Sequence, residues 1–227
     1  MSKTIKLLSL FLFFLIFSTY IPNHKRGTKS YIFPIKIIIV ENNKAIDDKK
    51  LIGELDYLKG KSLFFLEQYN LTKTIMNYDF VMNFQVKKIF PHTVKVIINE
   101  KKPVAIYING KNKFYVPEEG ELIRYKKLDY YNNLPLVSVK STSLKKTSFK
   151  ILFKEMKKID FPVHEIKLYN YFDIDRWDII LKNNKIIKLP GNNYIETLKK
   201  FLLIKDDKNF KKYKVFDYRV TNQLILN

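Results

Sequence analysis

The sequence has 227 residues, of which 46% are hydrophobic and 15% aromatic, enough apolar material for one large domain or two small ones. It contains no cysteine, which excludes thiol catalysis, thiolate metal sites and disulfide bonds. The formal net charge is +20, but arginine, the preferred side chain for phosphate and base contacts, occurs only at positions 26, 124, 176 and 219. We therefore attribute most of the charge to composition and predict no nucleic-acid partner, with a polyanion-binding surface as the alternative.

An uncharged apolar segment occupies residues 7–21 and follows Lys3 and Lys6. Fifteen helical residues span roughly 22 Å, less than the ~30 Å hydrocarbon core, although Lys6 can snorkel to the headgroups. A cleaved signal peptide is the alternative, but no A-x-A-like cleavage site follows. Lysines on both sides leave the orientation undecided. We predict a transmembrane anchor that includes Leu7, Leu8, Phe11, Phe13, Phe14, Leu15, Phe17 and Ile21.

After a polar, basic linker at residues 22–33, the pattern predicts a small β-α-α-β-β unit. Asp47 and Asp48 suit the start of the first helix and Gly60 its end, while Asn70 is expected to cap the second helix. The strands are predicted at residues 35–40, 80–88 and 93–100.

A second unit follows without a long linker. Asn109-Gly110 and Asn183-Asn184 each separate two apolar runs and predict β-hairpins. Helical spacing appears around Phe149 and again after Asn193, and residues 215–226 have the pattern of one final strand. The fold class is therefore predicted to be α+β, with a mostly antiparallel sheet and two helices in this unit.

Residue patterns for catalysis are missing from the sequence. The three histidines, His24, His92 and His164, are far apart and have no metal-ligand spacing. Asp173, Asp175 and Asp178 lack the glycine and glutamate of a calcium loop and are interpreted as a solvated approach to a hairpin. Trp177 is predicted to be a core residue. We expect no enzyme activity, no cofactor, no metal and no small-molecule substrate.

A series of short motifs resembles the FtsQ/DivIB family of bacterial cell-division proteins, whose body consists of a POTRA domain and a β domain. Residues 60–66 resemble the family's G-x-S-L-F-x-L link, and residues 86–96 its V-x-R-x-F-P-x-T-L-x-V hairpin, with Lys88 in place of arginine. Residues 100–105 are similar to its E-R-x-P-V-A step. Further similarities lie at residues 116–120, where Pro117 replaces an aspartate, and at 134–136, 177–181 and 216–219.

The resemblance implies a cytoplasmic tail at residues 1–6, the anchor at 7–21, the linker at 22–33, a POTRA domain at 34–102 and a β domain at 103–227. It also implies a single-pass protein of the inner membrane at the division septum, with a cytoplasmic N-terminus and a periplasmic body. The expected partners are FtsB- and FtsL-like division proteins, which a non-enzymatic scaffold would bind. The alternatives are a POTRA-containing transporter or assembly factor and a membrane-tethered polyanion-binding protein.

By the same resemblance, the final strand is where the FtsB-like partner would add a strand of its own. The expected partner-binding residues are Tyr218, Arg219, Val220, Thr221, Asn222, Gln223, Leu224 and Ile225. Arg219 is expected to pair with a carboxylate of the partner, and no residues after Asn227 are expected to cover the strand. The alternative is that the apolar positions of this strand only complete the core.

Overall fold

The computed structural model describes residues 3–18, 31–139, 146–173, 175–220 and 222–227. Helix α1, Lys3–Ser18, contains most of the predicted anchor, and its side chains from residue 4 to residue 15 are exposed. Within the described ranges, the structure has no helix whose length and apolar character suffice for a bilayer crossing. Ile21 and most of the predicted linker lie outside the described residues.

The first unit has the predicted β-α-α-β-β order. Its elements are β1 Ile37–Glu41, α2 Asp48–Glu54, α3 Gln68–Met76, β2 Val81–Ile89 and β3 Thr93–Glu100. The sheet order is β1-β3-β2, in which β1 runs parallel and β2 antiparallel to the central strand β3. Helix α2 begins where predicted, since the carboxylate of Asp47 accepts a hydrogen bond from the Lys50 amide. The buried side chains of both helices join those of the sheet in one apolar cluster.

The prediction that Asn70 caps the second helix is wrong. Helix α3 begins three residues earlier than such a cap implies, at Gln68, with Glu67 in the N-cap position. Asn70 lies in the first turn and its side-chain amide donates a hydrogen bond to the Glu67 carboxylate, 3.1 Å away. The first N–H groups of a helix that face solvent can bond to water, so the helix can begin at Gln68 without a side-chain cap.

The second unit is one nine-stranded sheet with helices α4, Lys146–Lys158, and α5, Tyr194–Ile204. The sheet order is β12-β11-β10-β9-β8-β7-β4-β5-β6, and five of its eight strand pairings are antiparallel. Gly110 (φ 58°) and Asn184 (φ 65°) form the two predicted hairpin turns in left-handed conformation. The strands are β4 Pro103–Asn109, β5 Asn112–Pro117, β6 Ile123–Arg124, β7 Leu136–Val139, β8 Ile166–Phe172, β9 Arg176–Leu181, β10 Ile186–Lys188, β11 Val215–Asp217 and β12 Ile225–Leu226.

The prediction of one continuous strand over residues 215–226 is wrong. The segment is a hairpin, in which β11 and β12 pair antiparallel with Phe216 opposite Leu226. The chain reverses at Asn222, whose φ is 59°, and the amide of Gln223 donates to the carbonyl of Val220. Asparagine tolerates the left-handed region that such a reversal needs, whereas apolar alternation alone does not reveal where a strand is interrupted.

The two units share buried surface at their junction. Ile106, Tyr115 and Ile123 belong to the nine-stranded sheet, yet they are buried in the same apolar cluster as the helices and strands of the first unit. The ring of Tyr115 packs edge-on against Phe80 at 5.9 Å. Its hydroxyl donates to the Lys126 carbonyl at 2.8 Å, so the polar end of this buried tyrosine is satisfied. The junction is thus an apolar core rather than a flexible linker.

Glu100, the last residue of β3, joins the junction to the loop after β1. Its carboxylate accepts hydrogen bonds from the successive backbone amides of Lys44, Ala45 and Ile46, at 2.9–3.0 Å. Lys126 of the second unit donates its ammonium to the carbonyl of Ala45. Three amide donors on one carboxylate form charge-assisted hydrogen bonds, which are stronger than neutral ones. Glu100 therefore orders the loop that contacts the second unit.

We expect Glu100→Gln to lower the free energy of unfolding by about 1.5–3 kcal/mol, because the neutral amide makes weaker bonds and offers a single acceptor oxygen. Chemical denaturation of the full chain in mild detergent measures this. The matched control is Glu41→Gln, on the same sheet, which removes a partly exposed ion pair with Lys95 and should cost at most about 1 kcal/mol. Equal costs for the two variants would contradict the role assigned to Glu100.

Candidate partner-binding edge

The nine-stranded sheet has two edge strands, and they lie in different surroundings. Strand β6 lies beside the first unit: Ile123 is buried in the junction, and Arg124 pairs with Asp79 at 3.1 Å. Strand β12 lies at the opposite edge, and among the described residues nothing pairs with its outer side. Eight strand spacings separate the two edges, about 38 Å at 4.8 Å each.

The backbone of β12 is paired on its inner side only. Asn227 exchanges hydrogen bonds with Val215 in both directions, so its N–H and C=O face β11. Because these groups alternate in direction along an antiparallel strand, those of Leu226 face outward. The edge therefore offers a short donor and acceptor pair to another strand, although it is much shorter than the predicted strand.

A bidentate ion pair shapes the chain immediately after β11. The Arg219 guanidinium donates to both oxygens of Asp217, with Nη2 to Oδ2 at 2.6 Å and Nε to Oδ1 at 2.9 Å. The backbone amide of Arg219 donates to the same carboxylate at 3.1 Å. In this structure Arg219 pairs with Asp217 of its own chain, because residues two apart in an extended chain share a face. Its pairing with a partner's carboxylate stays a prediction.

Charged side chains of alternating sign cross three neighbouring strands beside this pair. Asp178 of β9 lies opposite Lys188 of β10, and Lys188 lies opposite Asp217. The hydrogen bond from Arg219 holds the pKa of Asp217 below its usual range. Burial raises the pKa of Asp178, against the opposing effect of Arg176 and the other nearby cations. The two carboxylates thus have opposite pKa shifts although only β10 separates their strands.

The eight predicted partner-binding residues do not share one surface. Tyr218 is only 8% exposed, and burial raises its pKa to about 12. Leu224 is half-buried against the core of this unit, so both residues contribute to that core. Val220 is 46% exposed and Ile225 is 44% exposed, so both present apolar surface to solvent. Arg219, Asn222 and Gln223 are also exposed, and Thr221 lies outside the described residues.

A shallow groove of about 220 Å³ runs between this turn and the start of α5. Val220 and Gln223 line one side, and Glu196 and Lys200 of α5 line the other. The groove combines apolar and charged side chains, as expected for the rim of a protein interface rather than a closed ligand site.

The row of alternating charges across β9, β10 and β11 was not predicted from the sequence. The prediction that Asp178 is solvated is wrong, since it is buried at the centre of the sheet. The alternation Arg176-Trp177-Asp178 indicates a strand, but only the pairing register brings Asp178 next to Lys188. Asp175 accepts a hydrogen bond from the Tyr171 hydroxyl at 2.9 Å. In the part of the chain that the structure describes, no group of three His, Cys, Asp or Glu side chains could hold a metal ion.

Two family models match the chain. The POTRA domain, FtsQ-type, matches residues 33–101, and the C-terminal domain of cell division protein FtsQ/DivIB matches residues 105–219, half of the chain. The chain belongs to the FtsQ/DivIB family. Members of this family are cell-division proteins, and the first unit of the fold is a POTRA domain.

Curated relatives agree with this assignment. Over 193 residues the chain is 26% identical to cell division protein FtsQ of Rickettsia bellii and 27% identical to that of Rickettsia conorii, covering 84% of this chain and 71% of each relative. Cell division protein DivIB of Clostridium acetobutylicum is 30% identical over 95 residues, which cover 42% of this chain and 38% of the relative. The resemblance seen in the sequence motifs is therefore confirmed.

We expect the Asp217–Arg219 pair to make stability depend on pH in the acid range. Because the folded-state pKa of Asp217 is lowered, its contribution is present above the unfolded-state value of about 3.9 and is lost as the pH falls through the folded-state value. Arg219→Met should cost about 1.5–3 kcal/mol at neutral pH, since it leaves a nearly buried carboxylate without its main donor.

Denaturation of the full chain between about pH 2 and pH 6 checks this expectation. The original chain should lose more stability than Arg219→Met as the pH falls, and the two curves should converge at the acid end. Asp217→Asn should also flatten the acid limb. Parallel curves for all three proteins would contradict the assignment.

Proposed function

We propose that this chain is a non-enzymatic scaffold of the division septum that binds an FtsB-like partner, together with an FtsL-like protein, at the β12 edge. The supporting observation is that β12 is the sheet edge away from the POTRA junction, with outward backbone groups at Leu226 and exposed apolar side chains at Val220 and Ile225. A partner strand would satisfy those groups by β-augmentation.

The proposed site differs in shape from the one expected from the sequence. Instead of an eight-residue strand, the partner would meet a two-residue edge, the exposed turn around Val220 and the groove beside α5. A two-residue ladder supplies few hydrogen bonds, so side-chain contacts at Val220 and Ile225 must supply much of the affinity. The Asp217–Arg219 pair would hold the turn in place before the partner arrives, which limits the entropy lost on binding.

The proposal includes a membrane tether at residues 7–21, a cytoplasmic tail at 1–6, a linker at 22–33 and a periplasmic body. The body would comprise a POTRA domain at 34–102 and a β domain at 103–227, close to the two matched ranges. Support for the tether comes from α1, where every described side chain from residue 4 to 15 is exposed and most are apolar. A helix with apolar residues on all sides needs an apolar environment. The tether would confine the edge near its membrane-bound partners and raise its effective concentration.

We expect Val220→Glu and Ile225→Glu each to weaken binding to an FtsB-like partner by at least about tenfold, because each buries an unpaired charge in the interface. Both positions are exposed, so the fold should be retained. Co-purification and titration calorimetry with full-length proteins measure the loss. The matched control is Leu203→Glu on α5, which places the same charge at a residue that is 83% exposed.

Two outcomes would contradict the site. Undiminished binding in folded Val220→Glu and Ile225→Glu variants would place the partner elsewhere, for instance on the nine-residue edge strand β2. An equal loss in Leu203→Glu would indicate a general effect of added charge.

The tether is tested separately. We expect the full chain to remain in the membrane fraction after alkaline carbonate extraction, and a chain lacking residues 1–21 to be released. A cysteine introduced at Leu203 should react with an impermeant maleimide added from the periplasmic side, because no native cysteine competes. Release of the full chain, or labelling only after the inner membrane is permeabilised, would contradict the proposed topology.

A further inference from the structure

The POTRA domain exposes a concentrated group of apolar side chains at one end. We name this end the aromatic tip and define it by residues 31–37, 61–67 and 87–92. All four phenylalanines that are exposed in the described residues after α1 lie within it. Ile32 (75% exposed) and Phe65 (78% exposed) protrude furthest. The apolar residues exposed there are Tyr31, Ile32, Phe33, Ile37, Phe64, Phe65, Ile89 and Phe90.

The three segments of the aromatic tip are held together by hydrogen bonds and by a ring contact. Leu63 donates its amide to the Phe33 carbonyl at 2.9 Å, and the Lys88 ammonium donates to the Phe64 carbonyl at 2.7 Å. The rings of Phe33 and Phe90 meet edge to face at 5.3 Å. Phe33 has φ 55°, a conformation that bulky residues rarely adopt. The fold therefore keeps these side chains exposed in a fixed arrangement rather than in a loose loop.

The strand register places the aromatic tip at the end of the POTRA domain that faces away from the β domain. Ile37 of β1 and Ile89 of β2 both lie opposite Thr93, the first residue of β3. Glu100, the last residue of β3, is in the junction with the β domain. The apolar surface is therefore remote from that junction, and no described element covers it.

Charge and chain connection both indicate what could cover this surface. The three segments contain four exposed lysines, Lys36, Lys61, Lys87 and Lys88, against a single acidic residue, Glu67. The chain from α1 arrives at residue 31, on the aromatic tip itself, after residues 19–30, which can span at most about 45 Å. The linker also contains Lys25, Arg26 and Lys29. Aromatic residues with surrounding lysines suit the boundary between lipid headgroups and acyl chains.

We infer that the aromatic tip docks on an anionic lipid bilayer, with Phe64, Phe65 and Ile32 at the headgroup boundary and the lysines on anionic headgroups. The inference rests on the proposed tether, which brings this end of the POTRA domain to a membrane. The dock would give the body a defined orientation, with the junction and β domain directed away from the bilayer.

Site-specific fluorescence in lipid nanodiscs tests the dock. The chain has no cysteine, so Phe11→Cys in α1, Phe65→Cys in the aromatic tip and Leu203→Cys on α5 each give one labelled position in the full chain. The nanodiscs contain phosphatidylcholine, about 30% phosphatidylglycerol and a spin-labelled lipid quencher. We expect the labels at Phe11 and Phe65 to be quenched at least about threefold more than the label at Leu203.

Each outcome has one meaning. Quenching at Phe11 but not at Phe65 overturns the dock and leaves the tether intact, while no quenching at either position overturns both. Shielding of the Phe65 label from aqueous iodide without lipid quenching would mean that a protein covers the aromatic tip, and it also overturns the dock.

Adding Ile32→Ser or Lys36→Glu to the Phe65-labelled chain should lower the quenching of its label, and nanodiscs of pure phosphatidylcholine should do the same. Unchanged quenching in all three cases would contradict the roles given to apolar contact and charge.

Discussion

The junction between the POTRA domain and the β domain is the constraint on which the rest of the structure depends. Tyr115 and its neighbours bury one end of the nine-stranded sheet in the POTRA core, and Glu100 fixes the loop after β1 through three backbone amides. A mobile linker here would let the two domains rotate independently, and the free edge at β12 would have no fixed position relative to the POTRA domain. A shared apolar core with charge-assisted hydrogen bonds at its margin makes that position a property of the fold.

Local patterns in the sequence predicted most elements of this structure, because their causes are local. The Asn-Gly and Asn-Asn turns need left-handed backbone, and the β-α-α-β-β order follows from hydrophobic periodicity. The start of α2 at Asp47 follows from capping chemistry. The family motifs also predicted the class of function, a role in cell division. Glu100 shows what such motifs do not predict. The motif includes this residue, but it does not indicate the loop, 54–56 positions earlier, whose amides donate to the carboxylate.

The errors concern features that only tertiary pairing determines. The final segment alternates as a strand should, yet it folds back at Asn222 because β11 needs a partner on its outer side and the chain itself supplies β12. Self-pairing of this kind shortens an open edge, which is how many proteins limit unwanted strand association. Asp178 looked solvated because its position in the sheet interior depends on the register with β10. The ion pair of Arg219 with Asp217 was not predicted, because it forms in a hairpin that the sequence pattern did not indicate.

The two proposed contacts, the aromatic tip and the β12 edge, together set a geometric requirement on any membrane-bound partner. Strand β3 has eight residues, about 26 Å at 3.3 Å per residue, and it runs from the aromatic tip to the junction. With the aromatic tip on the bilayer and β3 along the membrane normal, the junction stands at about that height, and the β domain lies beyond it. A partner anchored in the same membrane would then have to reach about 26 Å to arrive at the level of the junction, which takes about 17 residues of helix at 1.5 Å each. Shortening that segment of the partner would prevent pairing even with every contact residue intact, whereas an undocked body on its linker could tilt to meet a shorter partner.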